Sequence, residues 1–553
     1  MVSLSYTTFL SNLYGSQTTR LVEPRLRELI ERYRNTIVLP LRSDLTEKDA
    51  MLITYGDQVL CEGELPLQTL LRFGEQYLSG IISSMHLLPF FPWSSDDGFS
   101  VKDYRQVDPA LGSWNDVEQL GKRFRMMYDG VINHASVQGE WFQRFLRNET
   151  PYRDFFMTVE GDPDLSKVVR PRTLPLITDF STSIGTRRVW TTFSADQADL
   201  DYHNPDVLLE IVDILLGYVQ HGAQYLRLDA IAYLWKEVGT TCIHLRQTHT
   251  IVQLIRALLE DVAPHVRLIT ETNVPHQENL SYFGNGYNEA HLIYNFALPP
   301  LVLHSFLSGD ASTLTDWAAQ LKTPSNQTTF FNFLASHDGI GINPVNDILR
   351  GKEISALVQN TLAHGGFLSY KRNADGSQSP YEMNINYFDA LSDPAGMEPE
   401  SLQVRRFLTS QAIMLSLRGL PGIYIHSLLG SRNWKEGVAL TGKERTINRQ
   451  KLNLDELEKA LHSPGSLRAK VFKGYGKLLV ERSKSAAFHP QGAQRILNFG
   501  KGIFAVLRIS PDGRERMLCL HNVTGETQSA GTHSLPPFAT LWVRNPEGYE
   551  AYQ

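Results

Sequence analysis

The sequence predicts an α/β protein: a (β/α)8 TIM barrel with two inserted subdomains and an all-β C-terminal domain. Three observations predict it. Eight short apolar segments of strand length alternate with amphipathic helical patterns over residues 51–426. Four of those segments end in clusters of Asp, Glu, His and Asn, at the position where a barrel presents its chemistry. Beyond about residue 480 the pattern changes to short strands separated by turn residues. On pattern alone a doubly wound sheet is the alternative.

Residues 1–50 read as an N-terminal addition, with a helix over 21–33. Leu26, Leu29 and Ile30 share one side and Arg and Glu residues the other. That apolar side predicts packing on the main domain, with an interaction helix as the alternative use. The eight barrel strands are expected at 51–56, 85–91, 125–132, from Gln224 to Asp229, and at 266–270, 291–296, 329–335 and 422–426. Helical patterns fall between them, as at 206–219 and 251–262. Two long connections split the barrel into 51–134, 201–336 and 401–480. Residues 135–200 follow the third strand and 337–400 the seventh, each too long for a plain loop, and such lengths are usually functional. The C-terminal β domain is expected over 481–553, with strands at 503–509, 517–521 and 540–543.

Composition narrows the class. Hydrophobic residues make up 42% and charged residues 20% of the 553, as in a soluble globular protein. A net charge of −6, from 53 basic and 59 acidic residues, argues against a general nucleic-acid binder. It leaves room for an anionic substrate in a local basic pocket. No apolar run has the length of a membrane span. No signal peptide is evident at the N-terminus. Cys61, Cys242 and Cys519 are far apart and in no metal-ligand spacing, which implies a reducing, cytoplasmic setting.

The chemistry lies at four strand ends. The third strand runs into Asp129-Gly-Val-Ile-Asn133-His134, the fourth into Arg227-Leu-Asp229, the fifth into Thr270-Glu271-Thr-Asn273, the seventh into Ser336-His337-Asp338. Alone, Arg227 and Asp229 are a structural ion pair closing a strand. Four such motifs in order reverse that reading. Glycosidic bond cleavage passes through a cationic sugar: one carboxylate attacks while a second, protonated, gives its proton to the leaving oxygen. Asp229, beside Arg227, is expected to stay ionised and suits the nucleophile. Glu271 has no cation adjacent in sequence, which permits a raised pKa and the acid/base role. His134, His337 and Asp338 can grip sugar hydroxyls. Carboxylates about 5–5.5 Å apart would retain anomeric configuration through a covalent intermediate.

These motifs resemble the four signature regions of glycoside hydrolase family 13, the α-amylase family. Leu87-Leu-Pro-Phe-Phe91, Asp96-Asp-Gly-Phe99, Arg170-Pro-Arg172, His337-Asp-Gly-Ile-Gly341 and Ile447-Asn-Arg449 resemble its sucrose phosphorylase subfamily. Leu52-Ile-Thr-Tyr-Gly-Asp57, Trp93-Ser-Ser-Asp-Asp-Gly-Phe-Ser100, Trp190-Thr-Thr-Phe-Ser194, Thr270-Glu-Thr-Asn-Val-Pro-His276 and Ser379-Pro-Tyr-Glu-Met-Asn384 are similar to its longer glucosylglycerate phosphorylases. The resemblance covers nearly the whole chain and identifies the two insertions with the B and B′ subdomains. It implies Asp229 as nucleophile, Glu271 as acid/base and Asp338 as transition-state stabiliser. Asp96, Phe99, His134, Arg227, His337 and Arg449 would line a glucose pocket flanked by Gln197 and Tyr233.

The same resemblance implies an α-glucoside and inorganic phosphate as substrates, with 2-O-α-glucosyl-glycerate as the lead donor. Sucrose, glucosylglycerol, or water as the final acceptor remain alternatives. Arg172 is the expected phosphate ligand, because a guanidinium grips phosphate through parallel hydrogen bonds; Tyr381 is the second. Sucrose phosphorylases carry Gln where this chain has Glu382, which puts fructose in doubt as leaving group. An acidic acceptor wants a cation, and Lys371, Arg372 or Arg172 could supply it. The resemblance implies no metal and no cofactor, and leaves a homodimer open. A non-catalytic relative is disfavoured by the presence of all three carboxylates. Glu289 with His291 is too small a set for a metal site, Gly284-Asn-Gly286 reads as a turn, and Trp434 and Trp542 as packing residues.

Overall fold

Eight parallel strands close into a barrel: β1 (Met51–Thr54), β2 (Ser84–Leu87), β3 (Arg125–Gly130), β4 (Ala223–Leu228), β5 (Arg267–Thr270), β6 (Leu292–Tyr294), β7 (Thr329–Asn332) and β8 (Leu420–Tyr424). Each pairs with its neighbours in sequence, and β8 closes on β1 through Met51 opposite Gly422. The structure, a computed structural model, describes residues 6–40, 44–373 and 375–547. All eight expected segments are the barrel strands. The eighth begins two residues earlier than expected and gives way to a helical turn at Ile425–Leu428. Pro421 reads as a breaker in sequence, yet it is tolerated near the start of a strand.

The barrel strands are buried almost throughout, which is why they read as near-continuous apolar runs. Helices α1 (Tyr6–Arg34), α2 (Pro205–Gln220) and α3 (Arg246–Val262) cover one side. The expected N-terminal helix is present but starts earlier, with a break at Gly15 where φ is 75°. Leu26, Leu29 and Ile30 are buried. Arg25 pairs with Asp206 at 2.6 Å and the Tyr33 hydroxyl donates to Asp213 at 2.9 Å, so α1 is fastened to α2.

Both long connections have structure of their own. Between β3 and β4, Thr158–Val159, Gly185–Trp190 and Ile177–Thr182 form an antiparallel sheet. His134–Ser136 pairs with Gln197–Asp199, so His134 lies opposite Asp199. After β7, Ile340–Gly341, Gln378–Asn384 and Phe367–Arg372 form a second sheet. An antiparallel bridge between Arg170 and Arg372 joins the two insertions. Four antiparallel strands, Ala493–Leu497, Ile503–Ile509, Arg516–Asn522 and Thr540–Arg544, follow the barrel. Among the described residues no helix is long and apolar enough to cross a membrane.

Candidate active site

Register places the central carboxylates. Leu228 of β4 pairs with Thr270 of β5, and the Glu271 amide donates to the Leu228 carbonyl at 3.1 Å. Asp229 and Glu271 therefore leave adjacent parallel strand ends, which lie ~4.8 Å apart. Arg227 sits beneath both with 1% exposure. It bonds Asp129, its partner across β3, and reaches Asp229 at 2.9 Å and Glu271 at 3.9 Å. His86 supports Asp129 from the other side at 2.7 Å. Glu271 also accepts the Ala230 amide at 2.9 Å.

This sharing corrects one expectation. Arg227 was expected to keep Asp229 ionised, but Asp129 holds that guanidinium too. Burial pushes the Asp229 carboxyl up to about 7, and the nearby Asp129 and Asp338 charges add to it against the pull of Arg227. Glu271 is likewise pushed up to about 7 by burial, with Asp229 and Asp338 adding. With both carboxyls pushed up and the Asp229 charge raising Glu271, one proton held between them is favoured over two adjacent buried carboxylates. Asp338 goes the other way: burial would raise it, but Arg445, His337 and Arg449 outweigh that and hold it well below the carboxylate range.

One cavity is lined by Asp229, Glu271 and Asp338 together with Asp96, Phe99, His134, Gln197, Tyr233, His337, Arg172, Tyr381 and Glu382. One wall of it is braced from behind. The Phe99 ring stacks on His337 at 4.7 Å, while its carbonyl meets His134 at 2.9 Å and Gln197 at 3.1 Å. Arg449 donates to the His337 carbonyl at 2.8 Å and pairs with Asp97. Asp96 and Asp97 both have left-handed backbones, φ 54° and 49°, a cost typical of functional sites. Gly98 follows because a Cβ there would sit 2.6 Å from the Pro89 carbonyl oxygen. Arg172 lies near the Phe193 and Tyr381 rings, at 5.9 and 5.6 Å.

Lys371 and Arg372 are not part of this wall. Lys371 donates to Asn343 at 2.8 Å, and Arg372 is exposed on its hairpin strand; neither lines the cavity. Neither side chain reaches the cavity, against the expectation that they meet the acceptor. Glu382 does line it, but bound to Arg445. Arg445 itself was missed. It lies 2.7 Å from Asp338 and stands four residues before Arg449, in the segment Glu444–Asn448 that leads into it; that spacing was the available signal. Among the described residues no group of three or more His, Cys, Asp or Glu could hold a metal. At the foot of the insertion the buried Lys236 ammonium bonds Asp199 at 2.6 Å and Asn133 at 2.8 Å.

Residues 76–347 match the family model described as the α-amylase catalytic domain. A glucosylglycerate phosphorylase of Spirochaeta thermophila is 53% identical over 521 residues, covering 93% of this chain and 88% of the relative. The chain belongs to the α-amylase family. Within it, a sucrose phosphorylase of Agrobacterium vitis is 31% identical over 76% of this chain and 85% of its own length. Among solved structures, the sucrose 6F-phosphate phosphorylase from Thermoanaerobacter thermosaccharolyticum superposes with a TM-score of 0.76 at 25% identity. It spans 92% of this chain and 99% of its own. The likeness of this α-amylase family member to these phosphorylases includes residues before and after the catalytic domain model.

Proposed function

We propose that this chain is a retaining α-glucoside phosphorylase. It converts 2-O-α-D-glucosyl-D-glycerate and phosphate to α-D-glucose 1-phosphate and D-glycerate. The observation that carries this reading is the 53% identity to a glucosylglycerate phosphorylase across nearly the whole chain, joined to a cavity holding three carboxylates and Arg172.

The Asp229 oxygen attacks the anomeric carbon as Glu271 gives its proton to the departing glycerate oxygen. The glucosyl group is then an ester on Asp229. A phosphate oxygen attacks the same carbon from the opposite face, Glu271 takes back a proton from phosphate, and the ester bond to Asp229 breaks. Two inversions give net retention. The shared proton belongs on Glu271 at the start, because Arg227 is 2.9 Å from Asp229 and 3.9 Å from Glu271, so the nearer cation favours the Asp229 anion. Asp338 stays anionic through both steps and faces the developing positive charge. His134, His337 and Asp96 hold the glucosyl unit in a pocket flanked by Gln197 and Tyr233, and Arg449, expected in that pocket, braces His337 from behind instead of lining it. Arg172 supplies the cation for the two anions that occupy the outer site in turn, the glycerate carboxylate and phosphate.

The test is glucose 1-phosphate release from glucosylglycerate, sucrose and glucosylglycerol, each with and without phosphate. Phosphate-dependent release from the glycerate compound is the expected result. Preference for sucrose or glucosylglycerol refutes the acceptor assignment, and free glucose regardless of phosphate refutes phosphorolysis.

A further inference from the structure

Glu382 and Arg445 lie beside the reacting groups, and nothing in the mechanism above uses the bond between them. Glu382 is 2% exposed, on the hairpin strand Gln378–Asn384. Its backbone pairs with Gly341, and a Cβ on Gly339 would lie 3.0 Å from the Glu382 Cβ. This carboxylate is thus packed directly over the segment that follows Asp338. Both its oxygens face Arg445: Nε donates to Oε2 at 3.1 Å, and Nη2 to Oε1 at 2.7 Å and Oε2 at 2.9 Å. The remaining edge of the guanidinium, Nη1, lies 2.7 Å from the Asp338 Oδ1. Two carboxylates therefore saturate Arg445 from opposite sides. Arg172 differs. Its Nη1 is 4.0 Å from Glu382 and makes one long bond, 3.5 Å, to the Pro171 carbonyl.

We infer that Glu382 is a positioning residue: its two-oxygen grip on Arg445 fixes that guanidinium against Asp338 and leaves Arg172 to receive the incoming anion. The inference rests on the phosphorylase reading and deepens it. A bidentate carboxylate–guanidinium pair sets orientation as well as charge. With the grip removed, Arg445 keeps one partner, gains rotational freedom and can turn into the outer site beside Arg172. Asp338 then loses the fixed cation that holds it in place during glucosyl transfer. On this view Glu382 shapes acceptor choice through the arginine it holds, without touching the acceptor.

The test uses α-D-glucosyl fluoride, a donor whose leaving group has no acceptor portion, at saturating phosphate. Glu382→Gln, Glu382→Asp, Arg445→Met and the Glu382→Gln/Arg445→Met double variant are compared with wild type. Loss of a charge-assisted pair predicts that Glu382→Gln lowers kcat by about 10-fold or more with KM changed less than about 2-fold. The double variant should be no slower than Arg445→Met within about 2-fold, because both changes break the same link. Glu382→Asp, which keeps the charge, should lie between Glu382→Gln and wild type, and it carries the test should Glu382→Gln not fold. Wild-type kcat on glucosyl fluoride in the Glu382 variants, with effects only on acceptor-bearing donors, overturns the inference in favour of direct acceptor contact. Losses that multiply in the double variant overturn it too. Failure of the phosphorylase reading shows separately, as wild-type turnover of glucosyl fluoride indifferent to phosphate.

Discussion

Lys236→Met should loosen the insertion that carries His134 and Gln197 into the cavity. The Lys236 ammonium is buried, 2.6 Å from the Asp199 carboxylate and 2.8 Å from the Asn133 side-chain oxygen. Asp199 is fully buried. Removing one member of a buried pair leaves an uncompensated charge and costs ~3–5 kcal/mol. Here the lower end applies, because Asp199 keeps the Thr192 amide at 2.9 Å, the Thr192 hydroxyl at 2.7 Å and Asn133 at 3.1 Å. For a chain of 553 residues a loss of ~3 kcal/mol lowers Tm by roughly 3 °C, since the unfolding entropy grows with length. Activity should suffer as well. Asp199 pairs with His134 and Gln197 with Ser136 in one short ladder, so movement of Asp199 shifts both His134 and Gln197 in the cavity. Scanning calorimetry and the KM for the glucosyl donor are the readouts. Lys236→Met/Asp199→Asn should recover most of the lost Tm, since no orphan charge remains. If Lys236→Met melts within about 1 °C of wild type, the ammonium is not the brace described here.

Three other outcomes are expected. Activity needs one proton on the Asp229–Glu271 pair. The kcat/KM profile should therefore be a bell centred near neutrality, both carboxyls being pushed up to about 7; it falls at low pH as the nucleophile is protonated and at high pH as the acid is lost. With glucosyl fluoride, whose leaving group needs no proton, the alkaline fall seen with glucosylglycerate should disappear; a fall that persists with the fluoride would deny Glu271 the acid role. Arg172→Leu should raise the phosphate KM by about 10- to 150-fold, the worth of one charged hydrogen bond, and an unchanged phosphate KM would remove Arg172 from the anion site. Arg482→Met should destabilise the fold by about 3 kcal/mol, measured by denaturant midpoint. Its guanidinium serves the carbonyls of Glu47, Asp49, Leu415, Gly419 and Phe488, which tie the entries of β1 and β8 to the segment before the C-terminal strands.

The barrel was legible because strands buried on both faces are written as near-continuous apolar runs: Met51 to Ile53 and Met126 to Tyr128 need no tertiary knowledge to be read. The strands inside the two insertions were not legible for the opposite reason. Ile177–Thr182 is half exposed and alternates with polar residues, so its signal is that of a surface turn. The start of α1 was hidden by the polar run before Arg20 and by Gly15. At the site, residue types were readable and partnerships were not. Arg227 and Asp229 are neighbours in sequence, but Asp129, 98 residues away, competes for the same guanidinium across the β3–β4 pair. Arg445 and Glu382 are 63 residues apart, and only the fold brings them together.

An anion has to approach a cavity already holding Asp229, Glu271, Asp338 and Glu382, which would repel it unless their charge is offset. The structure divides that task. Arg227, below the strand ends, answers Asp129, Asp229 and Glu271. Arg445 answers Asp338 and Glu382. Each is held by two or more carboxylates, whereas Arg172 makes a long bond to its own chain neighbour, a 4.0 Å approach to Glu382 and contacts with the Phe193 and Tyr381 rings. Chemistry assists at the decisive moment: once the glucosyl ester forms, Asp229 has lost its charge, although Glu271 has gained one. Phosphate then enters with a proton for Glu271 and a negative charge for Arg172. Water brings the proton but no charge, and so gains nothing from an uncommitted arginine. Discrimination between phosphate and water in the second step therefore depends on Arg172 remaining unpaired, and Arg172→Leu should raise the share of free glucose among the products as it raises the phosphate KM. A product ratio unchanged by that substitution would place the discrimination elsewhere.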